Sequence, residues 1–143
     1  MQSTMNVEEF TRRLEALCAR GSGREWPRKL PDQHVLLKSV ALLLDSQRDY
    51  DEQALNERLE TWCEDVGHNI VTDYVAVRRY LVDLGYVQRD AAGHNYRLNP
   101  DKVSEQFDPA VDALDPAAIV AEAQRRAEER KRAYLAKARG DGE

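Results

Sequence analysis

The chain has little cysteine, no long apolar run and none of the short motifs that usually announce chemistry. Its two cysteines, Cys18 and Cys63, stand at neither metal-knuckle nor redox-pair spacing, so both read as reduced thiols on helix faces. The longest apolar run, Val40-Ala41-Leu42-Leu43-Leu44, is far short of the roughly 18 residues that suggest a membrane span. The opening Met1-Gln2-Ser3-Thr4-Met5-Asn6 has no basic segment leading into an apolar one, so no secretory signal is visible. A cytoplasmic protein without a membrane partner is expected. No G-x-S-x-G, phosphate-binding glycine loop, H-E-x-x-H, Cys-x-x-Cys or internal repeat occurs. His34, His68 and His94 fall in different elements, and Cys63 and His68 are two ligand types five apart without further partners. The acidic clusters Glu64-Asp65 and Asp49, Asp51 and Glu52 sit at helix ends, where capping and dipole pairing account for them. The expectation is no catalytic residue, no cofactor, no metal and no enzyme. The formal charge of −5 disfavours a tight, nonspecific nucleic-acid binder, although a sequence-reading domain with a local basic face is still permitted.

What is present is enough for one domain with extensions: 143 residues, 42% hydrophobic and 33% charged. Asn6 and Glu9 make a capping-box pattern, and Val7, Phe10, Leu14 and Leu17 follow at helical spacing. Gly21-Ser22-Gly23 then reads as a hinge, making residues 1–23 an N-terminal helical arm. After the basic entry Trp26-Pro27-Arg28-Lys29-Leu30-Pro31, a helix from Pro31 is apolar nearly all round and should be central. Asp51 caps the next helix, with Tyr50 set to pack on Leu55 and with Leu55, Leu59 and Trp62 facing inward. Asp115-Pro116 opens a last helix rich in alanine, arginine and glutamate, with Glu122 and Arg126, and Glu128 and Arg132, four apart. Its thin stripe of Ile119, Ala123, Ala127 and Tyr134 fits a solvated projection or a partner-binding arm, so residues 99–143 form a connector and a charged helix.

The most informative stretch lies between these ends. Tyr74, Val77, Leu81 and Leu84 share one helical face, Thr72 precedes as cap, and Gly85 stops the helix. Val87 begins a short strand, Gly93 ends a turn, and Tyr96 and Leu98 alternate with Asn95 and Arg97 in a second strand. With the apolar face inward, Arg79 falls near the centre of the outward face, with Thr72, Val75 and Ala76 around it and Arg78 on its flank. Arginine suits guanine because its paired donors match O6 and N7, and valine can meet a thymine methyl. Arg89 and Arg97 in the hairpin could reach phosphates. The arginine pair equally fits a solvated helix, or pairing with Asp83 and the acidic preceding helix, and Val75 and Val82 equally fit a protein partner.

At Asp73-Tyr74, Arg78-Arg79-Tyr80-Leu81-Val82-Asp83, Gly85 and Gly93 to Tyr96, with Trp26-Pro27-Arg28-Lys29 ahead, the chain resembles the bacterial domain of unknown function 2087 family over residues 26–98. Members of that family stand alone or attached to bacterial transcriptional regulators. The resemblance implies a winged-helix-like, regulation-associated role and no established activity. The expected fold is therefore mainly α: a winged helix-turn-helix-like three-helix core with a β-hairpin wing over residues 24–98, flanked by helical arms. Its core should hold Leu36, Val40, Leu43, Leu55, Leu59, Trp62, Val77, Leu81, Leu84, Val87 and Tyr96. The expected partner is double-stranded DNA, or alternatively a protein. Because Phe10, Leu14, Ile119 and Tyr134 would be wet on free arms, a homodimer through those arms is also expected.

Overall fold

The computed structural model describes residues 4–139. They run α1 (Val7–Cys18), α2 (Leu30–Ala41), β1 (Tyr50–Asp51), α3 (Glu52–Asp65), α4 (Tyr74–Asp83), β2 (Val87–Arg89), β3 (Asn95–Leu98), α5 (Pro100–Ser104), a 3-10 turn at Pro109–Ala113 and α6 (Pro116–Ala138). The mainly helical expectation holds, and the three strands form one antiparallel sheet in the order β1-β3-β2. Most helix starts follow their polar caps. The side chains of Asn6, Asp51 and Asp115 accept from the backbone N–H groups of Glu9, Ala54 and Ala118 at 2.9, 2.7 and 3.2 Å. α4 starts on Asp73, which accepts from Ala76 N–H at 2.9 Å, rather than on Thr72. Thr72 lies one residue too early to reach the first-turn donors.

α2 is the axis of the core. His34, Val35, Leu36, Leu37, Lys38, Ser39, Val40 and Ala41 are buried in succession, because neighbours cover every side of it. Leu55, Leu59 and Trp62 of α3 and Val77 and Leu81 of α4 are fully buried. Leu43 and Leu84, expected in the core, are only partly buried, since each sits in the turn where its helix ends. The hairpin registers Val87 with Leu98 and Arg89 with Tyr96. β1 adds a third strand that pairs Tyr50 with Tyr96 and Asp51 with Asn95.

The first helix is not a free arm. Phe10, Leu14 and Cys18 are fully buried, with α1 packed on both α2 and α6, so a large part of the apolar surface expected to be wet is covered within one chain. Nor is Gly21-Ser22-Gly23 a hinge. Asn69 Nδ2 donates to the carbonyls of Leu17 and Arg20 at 3.0 and 2.8 Å, and Arg24 pairs with Ile70 in a parallel bridge, which pins this segment to the α3–α4 loop. Gly21 and Gly23 have φ of 74° and 65°, the left-handed backbone that glycine adopts without strain. The connector after β3 is tied down as well. Met5 bridges Phe107, whose ring meets Phe10 edge-on at 5.8 Å, and Val103 and Val111 are buried. α6 packs through its first half only, where Val120 is fully buried. Arg126, expected to pair with Glu122, reaches Glu15 of α1 at 2.9 Å, and Arg125 takes Glu122 and Glu129.

Two expected outcomes follow from this packing. Trp62 is fully buried and its indole N–H donates to Ser39 Oγ at 2.8 Å, so the ring cannot shift. A Cβ on Gly67 would come within 2.5 Å of that ring. Gly67→Ala should therefore lower stability by about 1 to 3 kcal/mol in urea titration, as overpacking generally does, and a change below about 0.5 kcal/mol would contradict the packing described. The second concerns pH. His34 Nδ1 lies 2.7 Å from the Tyr86 hydroxyl, and burial, followed by the charge of Lys102, holds the imidazole below its ordinary range. The unfolded chain therefore binds this proton more readily than the folded one. Stability from this group is full above about pH 6.5 and is lost as pH falls through the depressed folded value. The denaturation midpoint should drop between about pH 7.5 and about pH 5.5, and less so in His34→Gln; an equal drop in that variant would remove His34 as the cause.

Candidate functional site

α4 is held at its inner face by Val77 and Leu81 and at its outer edges by three contacts. The Trp26 ring stacks on Tyr80 with centroids 4.3 Å apart and planes 17° apart, which anchors the basic segment before α2 on this helix. Arg78 Nη1 donates to Asn56 Oδ1 of α3 at 2.5 Å, and its other terminal nitrogen lies 3.7 Å from Glu52. Asp73 caps the first turn. Together these fix the rotation of α4, and so decide which of its side chains look outward.

The hairpin stands beside it. Asp90 accepts from His94 N–H at 2.8 Å and from Asn95 Nδ2 at 3.1 Å, and Gly93 supplies the left-handed residue of the turn at φ 74°. The backbone hydrogen bond from His94, the largest influence, holds the Asp90 carboxyl below the usual carboxylate range, which marks it as a turn-former. Arg89 lies with its guanidinium 5.5 Å from the centre of the Tyr96 ring. Tyr96 is buried in β3, so the aromatic ring is a fixed floor under an exposed cation.

Between α4 and the hairpin lies an open concavity of about 300 Å³ lined by Glu52, Val75, Arg78, Arg79, Val82, Asp83, Arg89 and Tyr96. It brings together four of the seven candidate residues: Val75, Arg78, Arg79 and Arg89. They are not equivalent. Arg78 is consumed by α3, the alternative that its neighbourhood of acidic residues had left open. Arg79 and Arg89 are exposed and, among the described residues, paired with no carboxylate. Val75 is 48% exposed and Val71, just before the helix, 69%. The other three candidates lie apart from the concavity. Ala76 is partly covered on α4, and the Thr72 hydroxyl is buried with no hydrogen-bond partner, out of reach of a ligand. Arg97 is on the opposite side of the hairpin, 3.7 Å from Asp49 in a second hollow of about 210 Å³.

The electrostatic balance of the concavity is mixed, with three guanidinium groups facing Glu52 and Asp83. Such a surface favours a partner that presents specific acceptors over a generally anionic one. The two thiols lie elsewhere, Cys18 buried and Cys63 partly so, and their surroundings favour the protonated form. Burial raises Cys18 to about 12, and burial, then the charges of Asp73, Glu60 and Glu64, raise Cys63 to about 11. His68 is engaged with Gln124, their Nε2 atoms 2.7 Å apart. Among the described residues, no three His, Cys, Asp or Glu side chains gather as metal ligands, and no helix is long and apolar enough to cross a membrane.

Sequence reasoning missed the Arg89–Tyr96 stack, although the register pairing those two residues could have been read from a hairpin turning at 90–94. It also missed β1, whose two residues are too few to show alternation.

No curated protein and no solved structure matches the chain. A family model does match, across residues 24–98, which is just over half the chain and takes in α2 through β3 with the whole concavity. The match begins at the segment pinned to the α3–α4 loop and ends with the hairpin. The chain belongs to the DUF2087 family, described as uncharacterized protein conserved in bacteria.

Proposed function

We propose that the chain is an accessory DNA-binding module of transcription regulation, with a winged helix-turn-helix domain as its working part. The observation that carries this is the element order α2-β1-α3-α4-β2-β3, in which α4 and the hairpin jointly present two unpaired arginines over one concavity. In this reading α3 and α4 form the helix-turn-helix, α4 enters the major groove and the β2–β3 hairpin is the wing. Arg79 offers paired donors to guanine O6 and N7, Val75 offers a methyl contact to thymine, and Arg89 reaches backbone phosphate. Arg78 acts by orienting α4 through Asn56 and Glu52 rather than by touching DNA. The acidic groups Glu52 and Asp83, with a net charge of −5, weaken binding to arbitrary sequence and leave discrimination to a few contacts. The module works in the cytoplasm and catalyses no reaction.

One observation favours a second reading, a protein-interaction domain on the same scaffold. Val75 is an exposed apolar group among mixed charges at the concavity, and Val71, just before α4, is more exposed still, a composition that suits a protein partner as well as a groove.

Fluorescence anisotropy against host genomic fragments separates the two. If DNA is the partner, affinity falls steeply between about 50 and 200 mM salt, and Arg79→Ala costs about 1 to 3 kcal/mol and relaxes specificity. Absence of binding at low salt, or binding indifferent to salt, would transfer the site to a protein partner.

A further inference from the structure

The second half of α6 has no role in the packing. From Glu128 to Arg139 every residue is exposed. Eleven residues of helix, about 16 Å long, thus run on beyond Ala127, the last residue of α6 that is partly covered. All five charged residues within positions 130–139 are cations, Arg130, Lys131, Arg132, Lys137 and Arg139, so the rest of the chain carries −10. Two acids, Asp141 and Glu143, follow outside the described residues. The ion pairs on this helix stop before the basic run begins. Arg125 pairs with Glu122 and Glu129, and Arg126 with Glu15. Among the described residues none of the five later cations is paired with a carboxylate. Tyr134, 71% exposed, lies among them. A helix that concentrates positive charge on every side, on an otherwise acidic chain, has no one-sided seam for another helix.

Its position matters as much as its charge. Gln124 of α6 contacts His68 in the loop that joins α3 to α4, and Arg130 lies with Ala19 and Arg20 where α1 ends against that same loop. The basic end therefore leaves the body beside the loop that leads into α4.

We propose that the basic end of α6 is a phosphate-contacting arm for double-stranded DNA. It rests on the DNA reading above and assigns that reading its missing electrostatic component. The arm supplies sequence-independent affinity by displacing counterions from the backbone, whereas the α4 concavity, with its acidic rim, supplies discrimination. This division explains how a chain of net −5 could approach a polyanion: five of its 21 Lys and Arg residues stand together, with no acidic residue among them, on one projecting rod.

The test is the salt dependence of binding by the full-length chain to a duplex of mixed sequence. In the variant R130Q/K131Q/R132Q/K137Q/R139Q, the slope of log K against log salt should become shallower by about 0.9 for each phosphate that the arm no longer neutralises, as much as about 4.5 in all. Arg79→Ala should change that slope by about 1 at most while relaxing specificity. A charge-keeping variant, R130K/R132K/R139K, should retain the slope, since a phosphate contact needs a point charge and not a planar fork. An unchanged slope in the glutamine variant overturns the arm and leaves the DNA reading standing, as does a variant that alters only the mass of the protein in light scattering, which would make the basic rod a contact between copies. Loss of slope in the lysine variant also overturns it. A full-length chain that binds no duplex at low salt overturns both.

Discussion

Burying α2 on every side takes three of its polar side chains out of water, and the partners that compensate them organise the whole molecule. His34, Lys38 and Ser39 are 7%, 1% and 0% exposed. An unsatisfied polar group in such a place costs about 1 to 3 kcal/mol and a charged one more, so each needs a specific neighbour. Each finds a different one. Ser39 Oγ accepts from the Trp62 indole and donates to Leu36 carbonyl, which locks α3. His34 shares a hydrogen bond with the Tyr86 hydroxyl at the entrance to the hairpin. The Lys38 ammonium donates to the Val103 carbonyl at 3.1 Å and to Asp112 at 2.7 Å, with the Phe107 ring 5.3 Å below, and so fastens the chain after the sheet. Removing one partner of that last pair would leave a buried charge alone, which is why the connector belongs to the body of the protein.

The site inherits its geometry from these attachments. With α3 locked by Trp62, Asn56 and Glu52 stand where they can hold Arg78, and α4 is thereby turned so that Arg79 and Val75 face out. With Tyr86 held by His34, the hairpin begins at a fixed point and carries Arg89 over the Tyr96 ring beside α4. The concavity between helix and hairpin is a consequence of the core.

Where a signal was local, the sequence disclosed the structure. The apolar spacing of Val77 and Leu81, the stop at Gly85 and the turn at Gly93 are each decided within a few residues, and helix, hairpin and outward arginines were legible there. Cap assignment failed by one residue because Thr72 and Asp73 are both good caps and only the observed start separates them. The covering of the first helix was not legible, for a different reason. Phe10 and Leu14 show an amphipathic pattern, but part of what covers them, such as the Phe107 ring against Phe10, comes from more than ninety residues away in the chain, which periodicity cannot express. Glycine and serine at 21–23 suggested freedom, yet the clamp on that segment is the side chain of Asn69, a residue with no motif around it. At the site, the pair Arg78-Arg79 read as two neighbouring cations, and only the packing of α3 shows that one is bound and one is available.

The central claim is that the outward face of α4 and the adjoining hairpin form a single recognition surface. An amide chemical-shift titration of the isotope-labelled chain with duplex DNA tests it most directly. Perturbations should concentrate at Val75, Arg79 and Val82 and at Arg89 in the hairpin, with the buried α2 segment silent. Perturbations that spare both α4 and the hairpin while DNA binds elsewhere on the chain would contradict it.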